Sequence, residues 1–71
     1  MTTGEAIKSK RIERDLLQSE LAQMVGVSKT HIYCIEKGRR KASFETMVKI
    51  AHVLRCPVDE LIGTEDKSAW K

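Results

Sequence analysis

Two cysteines, one proline, four glycines and three aromatic residues are all that this 71-residue sequence holds of the types that staple, break, loosen or anchor a fold. Cys34 and Cys56 are too few for the disulfide framework of a small secreted domain, and their 22-residue separation matches no zinc-ligand spacing. Both are read as reduced thiols. Each histidine has a cysteine at helical spacing, His31 with Cys34 and His52 with Cys56. A pair of ligands lacking a third or fourth is weak, so no metal site is expected. No apolar run approaches the ~18 residues of a membrane span, and Met1-Thr2-Thr3-Gly4-Glu5 lacks the charged-then-apolar pattern of an export signal. A cytoplasmic address is therefore expected, with no membrane contact. The sequence has no repeat, no phosphate-cradling glycine loop and no nucleophile paired with a base, and a core this small leaves no room for an enclosed pocket. Neither an enzyme nor a cofactor is expected.

What is present is a chain 41% hydrophobic and 32% charged, about the size at which one domain can just bury its own core. The formal net charge of +3 is unevenly spread. Residues 1 to 57 carry eleven basic and six acidic side chains, and residues 58 to 71 carry two and four. The basic part suits a polyanion.

The glycines fall between short runs with helical spacing, as stop signals would, and predict one all-α domain. The first run opens on a capping box, Thr2 with Glu5 three residues on, and carries Ile7 and Ile12 to a stop at Asp15. A second, from Gln18 to Val25, puts Leu21, Ala22 and Val25 on a narrow apolar face and closes at Gly26. Ser28 caps a third, in which Ile32 and Ile35 face inward and Lys29, Thr30, Tyr33 and Cys34 face out, with Gly38 at its end. The segment Lys37-Gly38-Arg39-Arg40-Lys41 follows, four cations in five residues whose mutual repulsion an anion would relieve. Ser43 caps a fourth helix with the clearest apolar stripe, Phe44, Met47, Val48, Ala51 and Leu54. Pro57 stops it and can start a last helix, with Asp59 and Glu60 in the first turn and Gly63 at the end. Residues 1–63 make the expected domain and 64–71 a polar tail.

Two short helices joined through a glycine, the second with a polar outer face, form the helix-turn-helix pattern. The residues Ile7-Lys8-x-x-Arg11, Leu16-x-Gln18-x-Glu20-Leu21-Ala22, Val25-Gly26-Val27-Ser28, Ile32-x-x-Ile35-Glu36-x-Gly38-Arg39-Arg40 and Ile50-Ala51-x-x-Leu54, with Val58-Asp59-Glu60-Leu61, extend that pattern. Together they resemble the XRE family, the Cro/CI-type helix-turn-helix. The resemblance covers residues 5 to 62 and implies a compact five-helix, lambda-repressor-like domain that binds double-stranded operator DNA. It also implies a homodimer on an inverted repeat, with the third helix in the major groove.

Mapped residue by residue, the family's base-reading positions fall on Lys29 and Thr30. Lys29 can donate to guanine O6 or N7, and Thr30 can hydrogen-bond a base or touch a thymine methyl. Cys34 occupies a third groove-facing position, where a thiol serves better as a small apolar group than as a hydrogen bonder. Gln18 opens the second helix, and the family uses this glutamine on a phosphate. Ser28 can touch a phosphate besides capping its helix. Tyr33 can reach one with its hydroxyl or merely cover helix surface. Arg39, Arg40 and Lys41 read as clamps on the phosphate backbone, against the plainer reading of a solvated loop. Arg11 and Glu36 recur in the family as a structural ion pair between the first helix and the end of the third. Three positions depart from the pattern: Leu17 replaces a polar cap, Ala42 a proline and Arg55 a glycine.

A repressor built on this domain alone would dimerise through it, and Val53, Val58, Leu61 and Ile62 are the apolar groups available, some of which close the core instead. The alternative is an antitoxin or anti-regulator subunit that holds a protein partner, using the acidic end and Trp70. The basic loop beside Lys29 argues for DNA.

Overall fold

The computed structural model describes residues 2–63, in which five α-helices follow one another: α1 (Thr3–Glu13), α2 (Gln18–Val25), α3 (Lys29–Glu36), α4 (Phe44–Leu54) and α5 (Val58–Leu61). The tail and Trp70 lie outside the described residues. Each start has a local cause. Before α1, Thr2 Oγ1 accepts the Glu5 N–H at 3.2 Å and Glu5 Oε1 accepts the Thr2 N–H at 2.8 Å, so two orphan donors of the first turn are satisfied reciprocally. Those bonds from Thr2, the backbone one first, hold the Glu5 carboxyl below its ordinary range. Ser28 and Ser43 cap α3 and α4 through the N–H groups of His31 and Thr46. Leu17 offers α2 no such oxygen, and there only the Glu20 carboxylate reaches back, to the Leu17 N–H at 2.8 Å.

The first four helices stop at left-handed residues. Gly26 at φ +87° turns the chain from α2 into α3, while Asp15 and Arg55, both at φ +55°, end α1 and α4. For α4 this places the stop before Pro57, which instead precedes α5 as its N-cap. The last helix ends at Leu61, two residues short of Gly63. A left-handed conformation costs a non-glycine residue roughly 1–2 kcal/mol, and the extra freedom of glycine in the unfolded chain offsets about half of that. Arg55→Gly is therefore expected to stabilise the domain by about 0.5–1 kcal/mol, seen as a higher urea midpoint at unchanged slope. A lower midpoint would mean that the arginine contributes more than its backbone costs.

The helices pack around one core. α2 lies against α3 and α4, α1 against α3, α4 and α5, and α4 against α5. Every helix contributes a fully buried side chain: Ile7, Leu21, Ile32, then Met47, Ile50 and Leu54 together, and Leu61. The stripe read on α4 is buried in part: Met47, Ala51 and Leu54 lie in the core, and two members do not. Phe44 is 62% and Val48 42% exposed, and the core takes Ile50 in their place. Two overlapping apolar arcs run along this helix, and the positions of α2 and α5 decide which is covered. Leu61, a candidate for a dimer contact, is fully buried in the core, while Val53 and Val58 are partly buried against it. With four residues α5 has no intrinsic stability. Burial of Leu61, a contribution of roughly 1.5–3 kcal/mol, is what holds it down. The solvated Lys10–Glu60 bridge to α1, 3.2 Å long, adds an orienting contact and raises the Lys10 pKa.

Candidate nucleic-acid interface

The outer side of α3 is available because its inner side is used up. Ile32 and Ile35 are in the core and Glu36 is buried, whereas Lys29, Thr30 and Tyr33 are exposed and Cys34 is half-buried. The side chains of Lys29 and Thr30 make no hydrogen bond or ion pair among the described residues. A cleft of about 280 Å³ lined by Arg11, Leu17, Gln18, Ser19 and Lys29 joins the start of α2 to the start of α3. Two of the sequence-predicted residues, Gln18 and Lys29, thus meet at one place.

Beneath this cleft lies the ion pair. Arg11 Nε donates to Glu36 Oε2 at 2.7 Å and Arg11 Nη2 to Glu36 Oε1 at 3.2 Å, a forked contact between side chains only 10% and 2% exposed. The third guanidinium nitrogen, Nη1, donates to the Leu16 carbonyl at 2.6 Å. Gln18 Nε2 completes the set, donating to Glu36 Oε1 at 3.0 Å. One end of the Gln18 amide is therefore held by protein, and the side chain is oriented before any ligand arrives. No buried side-chain nitrogen or oxygen of the described residues lacks a partner. The pair joins α1 to α3 and, through Gln18, to the first residue of α2, so the whole helix pair is set rigidly on the rest of the domain.

The basic loop does not act as one unit. Arg39 swings back over α3, where its guanidinium carbon lies 5.9 Å from the centre of the Tyr33 ring; Lys37 Nζ lies 5.7 Å from the same ring. Arg40 and Lys41 go elsewhere, lining a depression with Thr2, Thr3, Gly4 and Ala42 at the start of α1. Ser28 sits at the α3 N-cap with its hydroxyl committed to the His31 N–H. Among the described residues no group of three or more histidine, cysteine or acidic side chains could hold a metal, and no helix is long and apolar enough to cross a membrane. Cys56 is half-buried under α5, and burial pushes its thiol pKa up.

The helix-turn-helix family profile matches residues 7–61, most of the chain. This protein belongs to the XRE family of helix-turn-helix proteins. The chain is similar to the ImmF control region 10 kDa protein of Bacillus phage phi105, with 39% identity over 62 residues that make up 87% of this chain and 69% of that one. It is also similar to the cryptic phage CTXphi transcriptional repressor RstR of Vibrio cholerae, with 37% identity over 60 residues, 84% of this chain. Here the chain spans about half of its relative, 54% of RstR. Among solved structures it matches the P22 c2 repressor in complex with a synthetic operator at a TM-score of 0.84 and 29% identity, covering 87% of this chain and 94% of that one.

Two residues of this XRE domain that matter to the interface escaped the sequence reading. Lys37 was seen only as part of a charged loop, although its place four residues after Tyr33 was a signal that the two side chains meet. Gly4 departs from the expectation that the glycines fall between helices, since it is buried in the first turn of α1. A glycine inside the first turn of a helix, where propensity disfavours it, was the available clue.

Proposed function

We propose that this chain is a sequence-specific transcriptional regulator, a repressor that binds an inverted-repeat operator as a homodimer, with α3 of each copy in the major groove. The observation that carries this reading is the exposed start of α3, where Lys29 and Thr30 are unengaged beside the oriented Gln18. In this arrangement Lys29 and Thr30 meet base edges, with Cys34 as a small apolar neighbour one turn on. Gln18, Ser28, Arg39, Arg40 and Lys41 lie along the flanks and meet phosphates, which fix register without reading sequence. The similarity to a phage repressor and to an operator-bound structure supports the same reading. Residues 1–63 constitute the DNA-binding domain, and the half-buried Val53, Val58 and Ile62 are what remains of the apolar edge for a second copy.

Selection from random duplexes at roughly physiological salt, where non-specific attraction is already weakened, tests it. The expected result is an enriched inverted repeat with half-sites about one helical turn, ~34 Å, apart. Only salt-sensitive bulk binding, with no enriched sequence, would overturn it. On the selected site, Lys29→Ala should cost about 1–3 kcal/mol and relax preference at one base pair. Arg40→Ala and Lys41→Ala should instead weaken all duplexes alike and each lower the salt slope by about one.

A further inference from the structure

Tyr33, Lys37 and Arg39 are gathered by two local devices. Lys37 follows Tyr33 by one helical turn, which puts the two side chains on the same face of α3 and its C-cap. Arg39 lies beyond the helix and would point away if the chain ran on. Gly38, left-handed at φ +78°, reverses it. The Gly38 N–H then donates to the Ile35 carbonyl at 3.1 Å and the Arg39 N–H to the Cys34 carbonyl at 2.9 Å, the paired bonds of a Schellman stop. That fold-back delivers the guanidinium to the Tyr33 ring.

The result is two like charges sharing one ring. Neither Lys37 nor Arg39 forms an ion pair among the described residues. The negative face of the ring is what holds them. Left free, both long side chains would sample many rotamers, and fixing each on a ligand would cost conformational entropy. Two oriented cations with no carboxylate between them make an arrangement that an anion completes.

We propose that Tyr33 is a positioning residue: its ring, and not its hydroxyl, holds Lys37 and Arg39 as a two-cation clamp for the phosphodiester backbone at the C-terminal end of α3. The clamp rests on the DNA-binding reading and adds Lys37 to that site. Tyr33 then contributes affinity through its neighbours without contacting the duplex.

The test is binding of a short mixed-sequence duplex, followed by fluorescence anisotropy between about 50 and 200 mM salt. The full chain is compared with Tyr33→Phe, Tyr33→Leu and Tyr33→Leu in a Lys37→Ala/Arg39→Ala background, with thermal unfolding of each checked first. Tyr33→Phe keeps the ring and should bind as the parent does. Tyr33→Leu should bind about fivefold more weakly, because Lys37 and Arg39 must then be ordered on the duplex instead of beforehand on the ring. In the background lacking both cations it should change nothing. Equal losses in the Phe and Leu variants would assign the role to the hydroxyl and overturn the clamp. A Leu loss that persists without the two cations would overturn it as well, because Tyr33 would then act on its own. Parent binding with an unaffected Leu variant removes the clamp alone, whereas a parent that binds no duplex even at the lowest salt removes the DNA-binding reading with it.

Discussion

Glu36→Ala is expected to cost about 3–5 kcal/mol, as much as emptying a core position, and to leave the domain marginally stable at room temperature. A chain of this size has a total stability of about 4 to 10 kcal/mol, so the change removes from about a third to all of it. The reason is what remains behind. Arg11 keeps only the Leu16 carbonyl as a partner for a guanidinium that is 10% exposed, and Gln18 loses the acceptor for its amide. An uncompensated charge beneath the helix-turn-helix costs far more than the methylenes lost with it. Replacing both partners, Arg11→Met with Glu36→Leu, should recover most of the stability, since an apolar pair of similar volume strands no charge. Urea unfolding of the two single variants and the double variant measures this as a coupling energy. Additive losses would show that the pair is not an energetic unit. If the double variant folds but binds DNA more weakly, Arg11 also serves the cleft it lines with Lys29.

Gly4→Ala should destabilise by roughly 2 kcal/mol, although alanine is the better helix former. Propensity alone predicts a gain of about 1 kcal/mol. Against it stands the close approach of α1 to the end of α3. A Cβ at Gly4 would come within 2.5 Å of the Ile35 carbonyl oxygen, nearer still to that of Glu36, and 2.8 Å from the Glu36 carbonyl carbon. These are backbone atoms at the end of α3, the Ile35 carbonyl among them already held by the Gly38 N–H, and they cannot rotate away as a side chain would. α1 must move instead, at the upper end of the 1–3 kcal/mol typical of overpacking, and the sign follows the clash. A urea midpoint that rises in Gly4→Ala would show that α1 and α3 separate at little cost. Because α1 carries Arg11, the same displacement should loosen the ion pair, and Gly4→Ala should couple to Glu36→Ala in a double-mutant cycle.

These two positions mark the boundary of what local sequence can reveal. Helix starts were legible wherever a side chain caps its own turn, as at Thr2, Ser28 and Ser43, because the chemistry is complete within four residues. The span of α2 and its stop at Gly26 were legible for the same reason. Quantities set by a neighbour were not. Phe44 and Val48 fit the spacing of a buried stripe as well as Ile50 does, and only the placement of the other helices separates them. Among Val53, Val58, Leu61 and Ile62, spacing does not say which closes the core; the fold of α5 onto α1 and α4 buries Leu61. In the interface, the exposed residues Lys29, Thr30 and Tyr33 followed from helical phase. The engagement of Gln18 with Glu36 and the parting of Arg39 from Arg40 and Lys41 depend on contacts between segments that no spacing encodes.

The hydrogen bond from the Gly63 N–H to Thr3 Oγ1, 3.0 Å long, joins residues 60 apart in sequence. In space, then, the domain is a ring: α5 returns to α1, and the start and finish of the folded unit occupy one corner. The depression lined by Arg40 and Lys41 opens at that corner, beside Thr2 and Thr3. A shift of α5 therefore reaches Thr3, and through it the depression that the second half of the basic loop lines.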